Sequence, residues 1–153
     1  MQSGTDKILK LMRRRYDLDE MKGFFMQAKQ QIPDLCLGTD LMVGFPNEND
    51  DDFAQTCQSF MEMPFSYCHV FTYSERQGTA ASRMVQIPME ERRARSAHLR
   101  RLSASKRMSF HEVQEGREFR VLLENPKDDK HCGYTDHYLK VFLKEKRDEL
   151  TLS

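Results

Sequence analysis

Thr39-Asp40-Leu41-Met42-Val43-Gly44-Phe45-Pro46 and, further along, His69-Val70-Phe71-Thr72-Tyr73-Ser74 decide the fold. The first closes a largely apolar run, Leu35 to Phe45, and reads as a buried strand whose end opens into a loop. The second lies in an aromatic, β-rich run, Phe65 to Tyr73, a second buried strand followed by an irregular loop from Ser74 to Pro88. Between them, acid at Asn49 to Asp52 suits a helix N-terminus, and Phe53, Cys57, Phe60 and Met61 recur at helical spacing. Upstream, Thr5 or Asp6 can cap a short helix through Ile8, Leu9, Leu11 and Met12. Asp17 can cap a second helix, which Ile32-Pro33-Asp34 stops. Helices alternating with strands of this length imply βαβ units and a parallel sheet. Met89 to Val113 then reads as one long helix, basic and poor in large apolar residues. Beyond Gly116 the texture changes to short strands, Glu118 to Glu124, His131 to Thr135 and Tyr138 to Leu143, with a turn at Asn125 to Lys130. These make a small antiparallel sheet or partial barrel. The expected division is therefore 1–112 and 113–153.

The 153 residues carry 24 basic and 24 acidic side chains, so net charge says nothing about partners. The distribution does. Residues 89 to 110 hold seven basic against two acidic residues, while 47 to 62 hold five acidic and no basic ones; local sign is what a nucleic acid senses. No run approaches the roughly 18 apolar residues of a membrane helix, and the N-terminus has no apolar signal region, which makes cytoplasmic the default expectation. The four cysteines, Cys36, Cys57, Cys68 and Cys132, contain no C-x2-C or C-x3-C pair with which one loop could present two thiolates to a metal. They read as packed or incidental thiols, and no metal-ligand set is expected.

Chemistry in a parallel α/β barrel gathers at the C-terminal ends of strands. At the first such end Asp40 would place a carboxylate inside an apolar strand, which demands a partner, and Gly44 would let a ligand approach the backbone. At the second, Phe71 and Tyr73 could stack on an adenine, although core packing explains them as well. Arg13-Arg14-Arg15 could meet a carboxylate or phosphate through the guanidinium fork. Arg92, Arg93, Arg95, Arg100, Arg101, Lys106 and Arg107 could follow an RNA backbone, and a solvated helix explains them equally well. No nucleophilic triad or phosphate-cradling loop can be assembled.

Together, Gln2-Ser3-Gly4-Thr5-Asp6, Leu11-Met12-Arg13-Arg14-Arg15-Tyr16, and the two stretches quoted first resemble, in order and spacing, the methylthiotransferase family of radical S-adenosylmethionine (SAM) enzymes. Residues 113 to 153 resemble the TRAM domain that ends those proteins, and Gly133 to Val141 is most similar to the branch acting on N6-threonylcarbamoyladenosine in tRNA. The resemblance implies the C-terminal portion of a radical SAM partial (β/α) barrel followed by a small all-β TRAM-like barrel. It also implies SAM and two 4Fe–4S clusters, one generating a 5′-deoxyadenosyl radical and one involved in sulfur delivery, with a methylthio group installed on carbon 2 of the adenosine beside the anticodon. Carried over, Gln2, Ser3, Arg13, Asp40, Gly44, Phe71 and Tyr73 would face SAM or substrate, and Arg93, Arg100, Arg101, Arg107, Arg117, Tyr134 and Lys140 would face tRNA. Asn47 departs from the family's glycine in G-F-P-G-E. The family's C-x3-C-x2-C motif has no counterpart here, so the chain is expected to need an N-terminal part of the enzyme as partner and to be inactive alone. A stand-alone tRNA-binding protein, a module that complements a separate cluster-bearing half, and a part of a relative acting on isopentenyladenosine or a ribosomal protein are the competing readings.

Overall fold

A computed structural model describes residues 1–124 and 131–142. The chain divides into two compact units, Met1–Glu112 and Val113–Ser153. In the first, α1 (Asp6–Leu11), α2 (Leu18–Gln31), β1 (Gly38–Val43), α3 (Asp50–Glu62), β2 (Tyr67–Thr72), a 3-10 turn (Ala81–Arg83) and α4 (Met89–Glu112) follow in order. The capping chemistry accounts for the starts. The Thr5 hydroxyl accepts from Ile8 N, while Asp17 with Glu20 and Asn49 with Asp52 form reciprocal capping boxes. Each such cap is worth about 1 kcal/mol.

β1 and β2 pair in parallel, with Asp40 opposite His69 and Met42 opposite Phe71. Leu41 and Val43 point into a core completed by Phe60, Met63, Phe65, Cys68 and Leu99. The helical layer contributes Phe60 from α3 and Leu99 from α4. A second cluster, Ile8, Phe45 and Tyr73, lies where the strands end. Groups elsewhere in the chain hydrogen-bond to each outer edge of this sheet. The Gln2 carbonyl accepts from Met42 N, and the Ser103 hydroxyl both accepts from Cys68 N and donates to Cys68 O.

Three expectations need correction. β1 is not buried on both sides: its residues alternate, and Asp40 is exposed on the face that carries no helix, so its carboxylate escapes the cost of burial. The approach that Gly44 was expected to leave for a ligand is filled from within. At φ +70, a Cβ there would stand 2.4 Å from Arg92 Cγ, so the glycine admits the Arg92 stem. Finally, α4 does not present all its basic residues outward. Arg92 and Arg95 are buried, and the Lys106 ammonium caps α3 by donating to the carbonyls of Phe60, Met61 and Met63 at 3.0, 2.9 and 2.7 Å.

The second unit contains β3 (Val121–Leu123), β4 (Cys132–Thr135) and β5 (Lys140–Phe142), an antiparallel sheet in the order β3-β4-β5. The expected turn over 125–130 and Leu143 lie outside the described residues.

Asn47 occupies the left-handed region at φ 65 and donates its N–H to the Val85 carbonyl. Asparagine tolerates that conformation and β-branched residues do not. In urea denaturation, Asn47→Gly is expected to change stability by less than about 0.5 kcal/mol and Asn47→Val to cost about 1–2 kcal/mol.

Candidate ligand trough and nucleic-acid-facing residues

Where β1 and β2 end, two shallow cavities of about 360 and 380 Å³ share Met42, Phe45 and Ala81 and so form one trough. Gln2, Arg13 and Arg14 line one end, and Phe71, Thr72, Ser74 and Arg76 line the other. An apolar floor with a few polar groups at each end suits a small ligand with one flat and one charged part.

The expected site residues fall into distinct positions. Gln2 and Arg13 line the trough, as does Phe71, 51% exposed on the open sheet face. Tyr73 reaches it only as part of the wall. Its ring is buried, edge-on to Phe45 at 5.3 Å and under the Arg92 guanidinium at 5.2 Å, and its hydroxyl has no hydrogen-bond partner. Ser3 is buried, with its hydroxyl accepting from Thr5 N. Asp40 lies on the open face beside Gln2, Tyr67 and His69 rather than in the trough, and Gly44 lies beneath Arg92.

Arg14, read from sequence only within the basic triplet and not carried over to the ligand with Arg13, also lines the trough. Helix α1 ends in a Schellman motif, in which Arg13 N donates to the Lys10 carbonyl and Arg14 N to the Leu9 carbonyl. This sets Arg13 at φ 57, where glycine is usual, and turns Arg14 into the same end of the trough. The family's Met-x-Arg-x-Tyr pattern, matched by Met12, Arg14 and Tyr16, falls on Arg14 rather than Arg13.

Arg95, for which the sequence left an RNA contact and a solvated helix equally open, is the hub of an ion-pair network. Its Nη1 donates to Glu48 Oε1 and to the Glu48 carbonyl at 2.9 Å each, and its Nη2 to Asp50 at 2.9 Å and to Glu91. Burial pushes the Glu48 carboxyl up, while Arg95 and the N–H groups of Gly44 and Phe45 hold it back. Of the residues expected to face RNA, Arg93, Arg100, Arg101 and Arg107 are exposed on α4. Arg107 lies over the Tyr67 ring at 4.6 Å, and Arg100 reaches the Val70 carbonyl only at 3.5 Å.

In the second unit Lys140 lies over the Tyr134 and Phe142 rings at 5.8 and 5.5 Å, and exposed Arg117 over Phe119 at 5.4 Å. Register puts Leu122, Tyr134, Lys140 and Phe142 on one sheet face, with Leu122 and Phe142 largely exposed. Tyr138, not singled out from sequence, is 84% exposed at φ 58, in the position of a three-residue hairpin that glycine normally fills.

An iron–sulfur cluster does not fit these donors. Among the described residues no three His, Cys, Asp or Glu side chains gather as a metal site. Burial, with the charge of Glu48 and then Cys68 beside it, pushes the Cys57 thiol up to about 11, and burial also raises Cys68.

With 36% identity over 92% of its length, the chain is similar to a probable threonylcarbamoyladenosine tRNA methylthiotransferase of Methanocaldococcus jannaschii. It is 34% identical over 93% to a tRNA-2-methylthio-N(6)-dimethylallyladenosine synthase of Neorickettsia sennetsu, and 39% over 88% to one of Geobacillus thermodenitrificans. The chain belongs to the tRNA methylthiotransferase family. It covers 32, 30 and 27% of these three relatives, a C-terminal part of such proteins. No family model matches the chain. Methylthiotransferases named for both modified adenosines match about equally well, so the modified nucleoside is not decided by similarity. No helix among the described residues is long and apolar enough to cross a membrane.

Two outcomes follow from these environments. Tyr138→Gly relieves a left-handed side chain and is expected to leave stability unchanged or raise it by about 1 kcal/mol, read by thermal melts. Iodoacetamide under native conditions at pH 8 is expected to label Cys36 and Cys132 well before Cys57 and Cys68, as read by peptide mass spectrometry.

Proposed function

We propose that the chain is the C-terminal part of a tRNA methylthiotransferase that places a methylthio group on carbon 2 of N6-threonylcarbamoyladenosine. On this reading it forms the last wall of the SAM-binding barrel and a TRAM-like module that grips the tRNA. The observation that carries the reading is the joint one of similarity along about nine-tenths of the chain and a trough at the C-terminal ends of its two parallel strands. SAM, bound there, is the source of the methyl carbon. Phe71 offers its face to the adenine, Tyr73 and Gly44 hold the wall behind it, and Gln2 and Arg13 receive the charged end of the ligand. Ser3 serves through the turn into α1, and Asp40 faces the substrate side of the sheet. Arg93, Arg100, Arg101, Arg107, Arg117, Tyr134 and Lys140 contact tRNA through phosphates and stacking. The threonylcarbamoyl assignment rests on the likeness of Gly133 to Val141 to that branch.

The chain's own thiols do not fit a cluster, so no radical step is assigned to it. Incubated with iron, sulfide, reductant and SAM, it is expected to yield no 5′-deoxyadenosine, and cluster-dependent product on chromatography would overturn this. Calorimetry should detect SAM binding that Phe71→Ala weakens at least several-fold; tRNA binding without SAM binding would favour a stand-alone RNA-binding protein instead. Anticodon stem-loops carrying threonylcarbamoyladenosine should bind more tightly than those carrying dimethylallyladenosine, and the reverse order would move the chain to the other substrate.

A further inference from the structure

The first unit uses some of its arginines internally and leaves others with nothing to do. Arg92 donates to the Ile87 and Tyr73 carbonyls and to Gln86, and Arg95 holds Glu48, Asp50 and Glu91. Arg14, Arg15 and Arg76 are exposed, and none makes a side-chain hydrogen bond or ion pair with a described residue. Unpaired surface arginines are ordinary, but the placement of these is not random. Arg14 lines one end of the trough and Arg76 the other, and Arg15 follows Arg14 directly out of the Schellman turn. The acids that follow β1 do not neutralise them: Asp50 is bound by Arg95 and Asp52 by Lys7. Glu75, next to Arg76 in sequence, forms no ion pair with it among the described residues.

We propose that Arg14, Arg15 and Arg76 hold backbone phosphates of an RNA strand crossing the mouth of the trough. This contact is distinct from the outer face of α4 and presents the strand's base to the opening. Guanidinium forks suit phosphate oxygens bidentately, and cations at both ends of one apolar opening match a polyanion that spans it, where a single small anion would need only one end. The inference rests on the reading of the chain as part of a tRNA-modifying enzyme and adds to it the surface that orients the strand.

The test uses the whole chain and an unmodified anticodon stem-loop RNA, with dissociation constants measured across a potassium chloride series. Replacing all three residues (Arg14→Gln, Arg15→Gln, Arg76→Gln) should weaken binding and make the log–log salt slope shallower by about 2, near 0.7 per lost phosphate contact on a single strand. The lysine triple (R14K, R15K, R76K) should keep most of the slope. The α4 triple (R100Q, R101Q, R107Q) should act additively with the glutamine triple. A wild-type chain that binds RNA with a slope untouched by the glutamine triple overturns this proposal and leaves the proposed function standing. No RNA binding by the wild type overturns both. If calorimetry shows that the glutamine triple loses SAM affinity and keeps its RNA affinity, the arginines serve the ligand's carboxylate and the proposal fails. The substituted side chains are exposed, so an unchanged melting temperature is expected throughout.

Discussion

The buried pair of Arg95 and Glu48, 5% and 3% exposed, is the constraint on which the first unit depends. Glu48 uses its other oxygen to accept from Gly44 N at 3.0 Å, so one carboxylate closes the turn after β1 and ties it to α4. That turn carries Phe45 into the second core cluster beside Tyr73, the floor of the trough. Two ions taken from water are expensive, and here the cost is offset by several further hydrogen bonds, from Arg95 to Asp50, Glu91 and the Glu48 carbonyl. Removing Arg95 alone would strand the buried Glu48 carboxylate, a loss of about 3–5 kcal/mol, whereas Arg95 without Glu48 would keep Asp50 and Glu91. The pair is therefore better understood as fixing the geometry of the strand ends than as adding net stability.

Arg92 completes this arrangement from the other side. Its stem passes over Gly44 and its guanidinium over Tyr73, while its donors hold the carbonyls of Tyr73 and Ile87. The loop leaving β2 is thereby secured against the turn leaving β1. Arg13 and Tyr138, each on a positive-φ backbone, show the opposite economy: local backbone energy is spent to keep a long side chain where glycine would be easier.

Much of the element order was legible because it is written in local signals. Thr5, Asp17 and Asn49 cap helices, Ile32-Pro33 ends one, and two β-rich runs bracket an acid-started helix. What was not legible was direction. Arg92 and Arg95 share the buried face of α4 with Ser96, Leu99 and Ser103, but the groups that make two buried arginines tolerable there, the Tyr73 carbonyl for one and the Glu48 carboxylate for the other, lie far away in sequence. The same holds for Asp40, whose strand reads as buried but has one bare face, and for Tyr73 against Phe71, two residues apart yet divided between core and open surface. The Asn47 departure from the family pattern became intelligible once its φ was known.

The Ser103 hydroxyl has a consequence beyond packing α4 on the sheet. It satisfies both backbone groups that Cys68 would otherwise offer on the outer edge of β2, leaving an incoming extended chain neither donor nor acceptor at that point. A two-stranded sheet with bare flanks would be a template for strand addition, whether by another copy or by a misfolded neighbour. One serine on the covering helix thus blocks strand addition at that residue by hydrogen bonding rather than by charge.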